Sequence, residues 1–470
     1  MSTGPVVAVA GGGPCGLALA WSLLRAGRAG SVIVLERKEA PGGITASFSA
    51  EGLVFDHGSH RLHARAGEEV LGLARNLLGD DLLRRPRNGR IHMEGKLVRF
   101  PPRPLELLVR LPPSFVLSFL GDLVASPFGR ESGEDDFRAA MLDRCGRALS
   151  ESFYFPYARK LWGLPPSELS AEQAKRRVSS GNPLAALGRT IRNLLPGASG
   201  KVFYYPRRGF GQLARAFSDR IGSMGGRVLT GTTLSAVRLT DEGLRLEMND
   251  GSSGHSISAD MLFSTIPLPD LVEMVFPQAP GEVADSARRL VYRAMVFLYV
   301  VLGQDGYSPY DAHYFPQSDL CFSRMSEPRN YSGADEPKGK TGLCFEVPCD
   351  HGGRIWKMGS DELGEKVMDD LGRTPLPLPR PASVFTRRKK AIYPVYEKGF
   401  RKYLNLVESY VNGLPGVVTL GRQGLFAHDN THHAITMGLR AAECLLPGGK
   451  WDRGGWENLR DSFRSHVVED

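Results

Sequence analysis

The 470-residue sequence predicts a mixed α/β protein of two or three domains or closely joined layers. Residues 5–10 form a short apolar run typical of a buried strand, and a glycine-rich turn and a helical pattern follow at once. Residues 291–302 and 341–348 alternate as the strands of a half-buried antiparallel sheet do. Residues 104–150 are helical in pattern, with breaks at Pro112-Pro113 and Pro127. A single ordinary core would not accommodate a chain of this length.

The composition is that of a globular protein and argues against several other classes of protein. No apolar run reaches the length of a membrane-spanning helix, and the N-terminal residues read as a strand rather than as a signal peptide. The six cysteines form no C-x-x-C pair, so we expect reduced thiols and a cytoplasmic protein. The net charge of +8 comes from scattered basic residues without a nucleic-acid-binding motif. We therefore expect no nucleic-acid partner, and an anionic small molecule explains the excess charge at least as well.

The glycine-rich turn after the first strand contains the pattern G-x-G-x-x-G. Gly11 permits the tight turn, Gly13 lets the backbone approach a pyrophosphate, and Gly16 lets the helix pack close to the strand. Pro14 opens the helical pattern, whose N-terminus offers N–H groups and a partial positive charge to phosphates. Glycine motifs alone are common, but this one has the strand–turn–helix context that dinucleotide binding requires.

A second strand, SVIVLE, ends in an acidic residue. Glu36 stands twenty residues after Gly16, where a carboxylate accepts hydrogen bonds from the ribose hydroxyls of an adenosine. It would repel a 2′-phosphate. We count Glu36 and its neighbour Arg37 as cofactor-binding residues.

Residues 41–63 decide which dinucleotide is bound. The pair Gly42-Gly43 follows the second strand, and a short hairpin then ends in Asp56-His57-Gly58. This arrangement resembles the extended dinucleotide motif of the amine-oxidase and protoporphyrinogen-oxidase flavoproteins. The resemblance implies FAD as the cofactor, bound by a Rossmann-type domain. The alternative is a glycine hairpin that binds no ligand.

The remaining elements are assigned more coarsely. We predict an amphipathic helix over 66–79 and a hairpin over 90–100 that turns at Glu94-Gly95. The apolar face of 105–125 is either a buried helix–helix contact or a peripheral membrane contact. A helix and several strands follow over 209–247, and 258–268 is an apolar strand. Finally, 417–446 reads as a strand, Gly421, a loop and a helix from Ala434.

Four segments narrow the resemblance to the UDP-galactopyranose mutases and related flavoproteins. They are DHGSHRLH (56–63), FYFPYARKLWGLPPSELSAEQAKRR (153–177), YFPQSDLCFSRMSEPRNYS (314–332) and GRQGLFAHDNTHH (421–433). Together they run over most of the chain in the family's order. The resemblance implies interwoven domains: an FAD-binding domain of 1–100, 205–270 and 415–470, a mostly helical subdomain of 101–204, and a substrate-binding sheet domain of 271–414.

The resemblance also implies roles for single residues. His60 would lie by the reactive edge of the flavin, Trp162 in the sugar or nucleotide pocket, and Arg422 near the isoalloxazine. Arg176 and Arg324 would grip a diphosphate from two sides, as paired guanidinium groups can. The other implied contacts are Gly58, Ser59, Val237 (by its backbone, to the adenine side) and Gly421 for the cofactor, and Tyr314 for the substrate. The alternatives are that Trp162 is a core residue, that Arg176 or Arg177 lies on a solvated helix face, and that His60 is a core histidine.

The sequence departs from the mutase pattern after Gly421-Arg422. His428 stands where the mutases present a tyrosine, so we assign it a catalytic role as proton acceptor as well as substrate contact, and Asn430 a substrate contact. The adjacent His432 and His433 cannot both face one metal on a helix, and no carboxylate or thiol cluster with zinc spacing accompanies them. We therefore expect no metal site.

Two functions remain open at this point, and the resemblance slightly favours the first. In the first, the enzyme acts on an anionic, nucleotide-linked sugar through N5 of the reduced flavin, without net oxidation. In the second, it oxidises an amine or a carbon–hydrogen donor, possibly in natural-product biosynthesis. A third class, a flavin-bearing subunit without catalysis, is disfavoured by the charged and aromatic residues at the expected substrate positions. The substrate, the electron acceptor and the oligomeric state do not follow from the sequence.

Overall fold

A computed structural model of the protein describes residues 4–100, 102, 104–125, 136–177, 202–251 and 253–468. The predicted break at Pro127 and residues 178–201 of the predicted helical subdomain lie outside these residues. Among the described residues, no helix is both long and apolar enough to cross a bilayer.

A five-stranded parallel sheet forms the centre of the predicted dinucleotide-binding domain. Its apolar strands are buried, as expected for a parallel sheet covered on both faces. Strands from distant parts of the chain lie side by side in it, so the predicted interwoven α/β architecture is confirmed. In spatial order the strands are Arg227–Leu229, Ser31–Leu35, Val6–Ala10, Met261–Ser264 and Val417–Thr419.

A seven-stranded, mainly antiparallel sheet forms the second layer of the molecule. In spatial order its strands are Pro381–Pro394, Tyr292–Leu302, Thr341–Cys349, Arg324–Ser326, Ala312–Tyr314, Gly89–Met93 and Lys96–Phe100. The predicted hairpin at Glu94-Gly95 is present, and both turn residues have positive φ. However, this hairpin pairs with Ala312–Tyr314. The predicted boundary at residue 100 therefore assigns it to the wrong domain, because hairpin periodicity does not reveal the partner strand.

Three smaller sheets connect these layers. One has four strands, Gly254–Ala259, Gly243–Asn249, Thr233–Thr240 and Val275–Phe276. One has three strands, Leu62–His63, Val202–Pro206 and Leu82–Pro86, and the last is the hairpin Ser47–Ala50 and Leu53–Asp56.

The helices follow the predicted amphipathic segments closely. The helix predicted over 66–79 spans Gly67–Leu78, whereas the helix predicted from Ala434 begins at Thr431, because Asn430 and His433 form a capping box. The other described helices are Pro14–Arg25, Pro104–Arg110, Pro113–Ala125, Phe137–Leu149, Phe155–Trp162, Ala171–Arg177, Gln212–Ser223, Leu268–Met274, Gly281–Arg288, Pro328–Ser332, Arg354–Lys357, Ser360–Gly372, Phe400–Gly413, Gly421–Gly424 and Arg453–Phe463. Short 3₁₀ turns occur at Gly43–Thr45 and Gly79–Asp81, and a π-helical turn at Ser150–Tyr154.

Two helices from opposite ends of the chain pack directly on each other. A Cβ atom at Gly438 would lie 2.3 Å from the backbone oxygen of Cys15, so only glycine allows this separation. The helices Pro14–Arg25 and Thr431–Cys444 therefore touch backbone to backbone. Both begin at the same cleft, which brings two helix N-termini to one place.

Candidate active site

A cleft lies at the carboxyl ends of the parallel strands. The turns that follow all five strands of the parallel sheet line it, which is where ligands bind in such sheets. Of the residues predicted from the sequence to bind the cofactor or substrate, those lining it are Gly11, Gly13, Pro14, Glu36, Arg37, Gly43, Gly421, Arg422 and Asn430.

The glycines at the bottom of the cleft leave room for a phosphate group. A Cβ atom on Gly13 would meet no atom within 4 Å, and one on Gly43 would lie 3.4 Å from Cα of Gly13. In contrast, a Cβ atom on Gly16 would lie 2.2 Å from the backbone oxygen of Gly11. Gly16 therefore serves helix packing, and Gly13 keeps the space beside the N-terminus of helix Pro14–Arg25 empty. These residues fit the diphosphate of FAD.

Glu36 is buried at the end of the second strand and braces the glycine turn. Its carboxylate accepts the N–H of Gly12 at 3.0 Å and the N–H of Lys38 at 2.9 Å. A carboxylate oxygen can accept further hydrogen bonds, so Glu36 remains able to receive those of a ribose.

The structure corrects the adenine-side contact. The backbone of Val237 is paired with Leu246 on one side and with Val275 on the other. It therefore has no free edge toward the cleft, which Thr232, Thr233 and Leu234 line instead. The pairing register shifts between Leu234 and Ala236, and this irregularity is what sequence periodicity misses.

The Gly58-Ser59-His60 loop lies against the seven-stranded sheet. Gly58 has φ of +88°, and a Cβ atom there would lie 2.7 Å from Oε1 of Glu346. The N–H of Ser59 donates to the same oxygen at 2.8 Å. The His60 ring donates to the backbone oxygen of His57 at 2.9 Å. Burial, then the nearby Arg324, lowers the pKa of His60 to about 4, so the ring is neutral at physiological pH.

Arg324 lies beside His60, and a carboxylate already holds it. Its Nε and one terminal nitrogen each donate to Glu346 at 2.8 Å, in the bidentate arrangement that guanidinium groups favour. Its guanidinium carbon lies 5.6 Å from the ring centre of Tyr314, whose hydroxyl accepts a hydrogen bond from Arg61 at 2.8 Å. The charge of Arg324 is therefore largely compensated within the protein.

The structure gives Arg176 and Arg324 different partners. Its guanidinium group is buried and donates to the backbone oxygens of Phe463 at 3.1 Å and His466 at 3.0 Å. The N–H of Val468 donates to the backbone oxygen of Arg176 at 2.7 Å. The prediction that Arg176 and Arg324 grip one diphosphate is thus wrong for this conformation. Arg176 fastens the C-terminal segment instead, a contact that spacing within 153–177 cannot reveal.

We expect Arg176→Ala to lower the free energy of unfolding by about 1–3 kcal/mol, because two buried carbonyl groups lose their donor. Urea denaturation of the FAD-loaded protein measures this change. The matched control is Lys175→Ala on the exposed side of the same helix, which should change little. Unchanged stability together with a large loss of affinity for nucleoside diphosphates would instead indicate that Arg176 contacts the substrate.

Trp162 and His428 lie together in the interior. Their ring centres are 6.3 Å apart, edge to face, and both side chains are buried. The His428 Nε2 atom is 2.8 Å from the backbone oxygen of Pro394 and 3.0 Å from the side-chain nitrogen of Gln173. His428 does not line the cleft, in contrast to Asn430 two residues later. This geometry favours the core alternative for Trp162 and contradicts a direct catalytic role for His428.

Arg422 lines the cleft at the start of the last loop. It donates to the backbone oxygen of Asp429, and its guanidinium carbon lies 5.8 Å from the ring centre of Tyr393. Arg422 therefore holds the loop that leads into helix Thr431–Cys444 while it keeps a positive charge in the cleft.

The sequence analysis missed Lys389 as a site residue. Its Nζ donates to the backbone oxygen of Gly43 at 3.1 Å, and it lines the cleft. Burial, and then the neighbouring cations, Lys38 first, lower its pKa to about 8, although Glu36 opposes this shift. The run Arg387–Lys390 reads as surface charge, but it lies in the long strand Pro381–Pro394. The alternation of side chains along this strand, combined with the Gly42-Gly43 pair, is the sequence signal that could have identified Lys389 as an inward-facing residue.

Comparisons with known proteins agree with this geometry. The model of the family described as flavin-containing amine oxidoreductase matches residues 14–446. A crystal structure of reduced UDP-galactopyranose mutase superposes with a TM-score of 0.77, at 21% identity over 93% of each chain. Cyclohexylamine oxidase from Brevibacterium oxydans gives 0.65 at 16% identity, over 94% of this chain and 98% of that one. Putrescine oxidase bound to putrescine gives 0.64 at 15% identity, over 93% and 98%. At these identities the structural likeness shows the shared fold.

Proposed function

This chain belongs to the family of flavin-containing amine oxidoreductases and is an FAD-dependent enzyme, and from that premise we propose that it catalyses the net oxidation of an organic substrate held beside His60. The observation that carries the proposal is that Arg324 and Arg176 are both hydrogen-bonded within the protein. Glu346 already engages Arg324 bidentately, and Arg176 is bonded to the C-terminal segment. Both arginines are thus engaged by other groups in this conformation, which argues against their gripping one diphosphate as a pair.

The residues of the cleft suit a cofactor that gains electrons. When bound, FAD supplies a two-electron acceptor. Lys389 and Arg422 carry positive charge into the cleft, and the helix Thr431–Cys444 begins at its wall. Positive charges and helix N-termini stabilise negative charge nearby.

The charges beside His60 bear on the class of substrate. Burial lowers the pKa of His60 most, and Arg324 and then Arg422 lower it further, so both cations act electrostatically on this ring. Although Glu346 compensates much of the charge of Arg324, the remaining positive charge disfavours a protonated amine and favours a neutral or anionic donor. We therefore propose that the substrate is oxidised at a carbon–hydrogen or carbon–nitrogen bond while it is uncharged or carries an anionic group.

A redox-neutral rearrangement of a nucleotide-linked sugar is the second candidate. The observation in its favour is that Arg324 and His60, two residues implied by the mutase resemblance, are close enough for the arginine to perturb the histidine. That chemistry requires reduced flavin and consumes no electron acceptor, which makes the two candidates distinguishable.

We expect product formation in air to release hydrogen peroxide stoichiometrically. We expect dithionite-reduced enzyme under nitrogen to form no product. The measurement presents FAD-loaded protein with neutral and anionic amines, reduced ring compounds and UDP-hexoses, and follows product and peroxide together. Many turnovers of a UDP-hexose by the reduced enzyme, without peroxide, would overturn the proposal in favour of the second candidate. A flavin-free variant is the control for chemistry that does not depend on the site.

A further inference from the structure

A short part of the long strand Pro381–Pro394 runs along the cleft. This strand is one edge of the seven-stranded sheet, and its residues Lys389, Lys390 and Ala391 all line the cleft. Along a regular strand, successive side chains point to opposite faces, so two neighbouring lysines would not both reach the same cleft. We call Lys389–Ala391 the cleft-edge segment.

An irregularity in strand pairing accounts for the position of both lysines. Tyr393 and Lys389 are four positions apart, but their partners on strand Tyr292–Leu302 are only two positions apart. The edge strand therefore carries two extra residues between these pairs. Such a bulge interrupts the alternation of side chains and re-aims them. It explains how both lysines reach the parallel sheet.

Each residue of the cleft-edge segment contacts a part of the chain that follows a different strand of the parallel sheet. The contacts are Lys389 Nζ to the backbone oxygen of Gly43 at 3.1 Å, Lys390 Nζ to Oδ2 of Asp270 at 2.8 Å, and the Ala391 backbone oxygen to the side-chain nitrogen of Gln423 at 2.9 Å. All three partners also line the cleft. The segment thus joins the two large sheets beside the place where the cofactor fits.

The Lys389 side chain lies close to the space that Gly13 leaves for a diphosphate. Its partner Gly43 lies directly beside Gly13, since a Cβ atom on Gly43 would be 3.4 Å from Cα of Gly13. An ammonium group has three N–H donors, and Lys389 uses one of them on the residues that the structure describes. Two donors remain for a group that enters the cleft.

The charges around Lys389 favour an anion as that group. Burial lowers the pKa of Lys389 most, and nearby cations lower it further. These cations are Lys38, Arg37 and Arg387, and Glu36 is the carboxylate that opposes them. Like charges that converge on one partly buried ammonium group repel it. A diphosphate bound among them would offset this repulsion.

We propose that the cleft-edge segment retains the cofactor: Lys389 binds the diphosphate of FAD directly, and the contacts of Lys390 and Ala391 hold Lys389 in position. The proposal concerns the cofactor alone, so it does not depend on which of the two candidate reactions the enzyme catalyses. Hydrogen bonds from an ammonium group to a phosphate are stronger than those between neutral groups. Because the backbone beside Lys389 is fixed at two points, less conformational freedom is lost when the cofactor binds.

The test measures the release of FAD from the full-length, FAD-loaded protein. Dilution starts the release, and the rise in flavin fluorescence gives the dissociation rate constant. We expect Lys389→Met to raise this rate constant about ten- to one-hundredfold, which is the loss expected for one hydrogen bond to a charged group. Lys389→Arg preserves the charge and should release FAD nearly as slowly as the parent.

Lys340→Met is the matched control, because Lys340 also donates to a backbone oxygen, that of Glu51 at 2.6 Å, but lies outside the cleft. It should release FAD at the parental rate. Added salt should accelerate release from the parent more than from Lys389→Met, because salt screens the charge contact that this variant lacks. Circular dichroism shows whether each variant is folded.

A second substitution tests the contact of Lys390. Asp270→Asn breaks this ion pair and removes a negative charge from the cleft wall. The change in charge alone would slow the release of an anionic cofactor, whereas loss of the contact should accelerate it about two- to fivefold, as expected for a partly exposed ion pair. A folded Lys389→Met protein that releases FAD at the parental rate, or an Asp270→Asn protein that releases it no faster than the parent, overturns the proposal.

Discussion

Gly13→Val is expected to abolish FAD retention while the chain stays folded. A Cβ atom at this position meets nothing within 4 Å, so the added side chain occupies the cleft and does not clash with the protein. The backbone of Gly13 is extended, with φ of −78° and ψ of 175°, and valine adopts this conformation readily. The two methyl groups then fill the space that a diphosphate would enter beside the helix N-terminus.

The readout is flavin absorbance of the purified protein, together with circular dichroism as the test of folding. Gly254→Val is the control, because Gly254 also has open space at Cβ but lies in an exposed strand far from the cleft. It should retain FAD fully. A yellow Gly13→Val protein with parental flavin content would show that the diphosphate does not bind at this turn.

Glu346→Ala is expected to lower the free energy of unfolding by about 3–5 kcal/mol. The substitution leaves the guanidinium of Arg324 buried without its bidentate partner, and it also removes the acceptor of the Ser59 N–H. An uncompensated buried charge is among the costlier defects that a single substitution creates. The same change would loosen the loop that carries His60.

Chemical denaturation of the FAD-loaded protein measures this effect, and the double variant Arg324→Met with Glu346→Leu should recover much of the loss. Glu247→Ala is the control, since Glu247 pairs with Arg238 at 2.6 Å on the protein surface. We expect no measurable change there. A Glu346→Ala protein as stable as its parent would mean that solvent already compensates Arg324, and that this arginine is available to an anionic substrate.

The sequence predicted best those features that short-range geometry decides. Gly11 and Gly13 lie in the turn after the first strand, Gly16 lies in the first turn of the helix that follows, and Glu36 comes directly after the second strand, so a local pattern places all four at one edge of a sheet. The placing of Arg176 could not be predicted in the same way, because its partners Phe463 and His466 lie almost 300 residues away.

Local sequence pattern also failed for side chains that could lie either in the cleft or in the core. His428 follows the mutase spacing, but burial among Trp162, Tyr393 and Tyr396 decides its role. In the structure, Asp429 lies one helical turn before His433 and His466 comes from the C-terminal segment, so side chains from two segments that are distant in the sequence meet. Such sets depend on tertiary contacts that spacing does not encode.

The backbone contact between Gly438 and Cys15 has a consequence for how the protein is made. Synthesis proceeds from the N-terminus, and early segments leave the ribosome long before late ones. The strands Val6–Ala10 and Ser31–Leu35 emerge first, but their cleft lacks a wall until Val417–Thr419 and helix Thr431–Cys444 follow. A nascent chain that ends near residue 400 therefore offers the glycine turn without the site around it. We expect flavin capture to wait for the final part of translation, so that a ribosome stalled there would carry a chain unable to hold FAD.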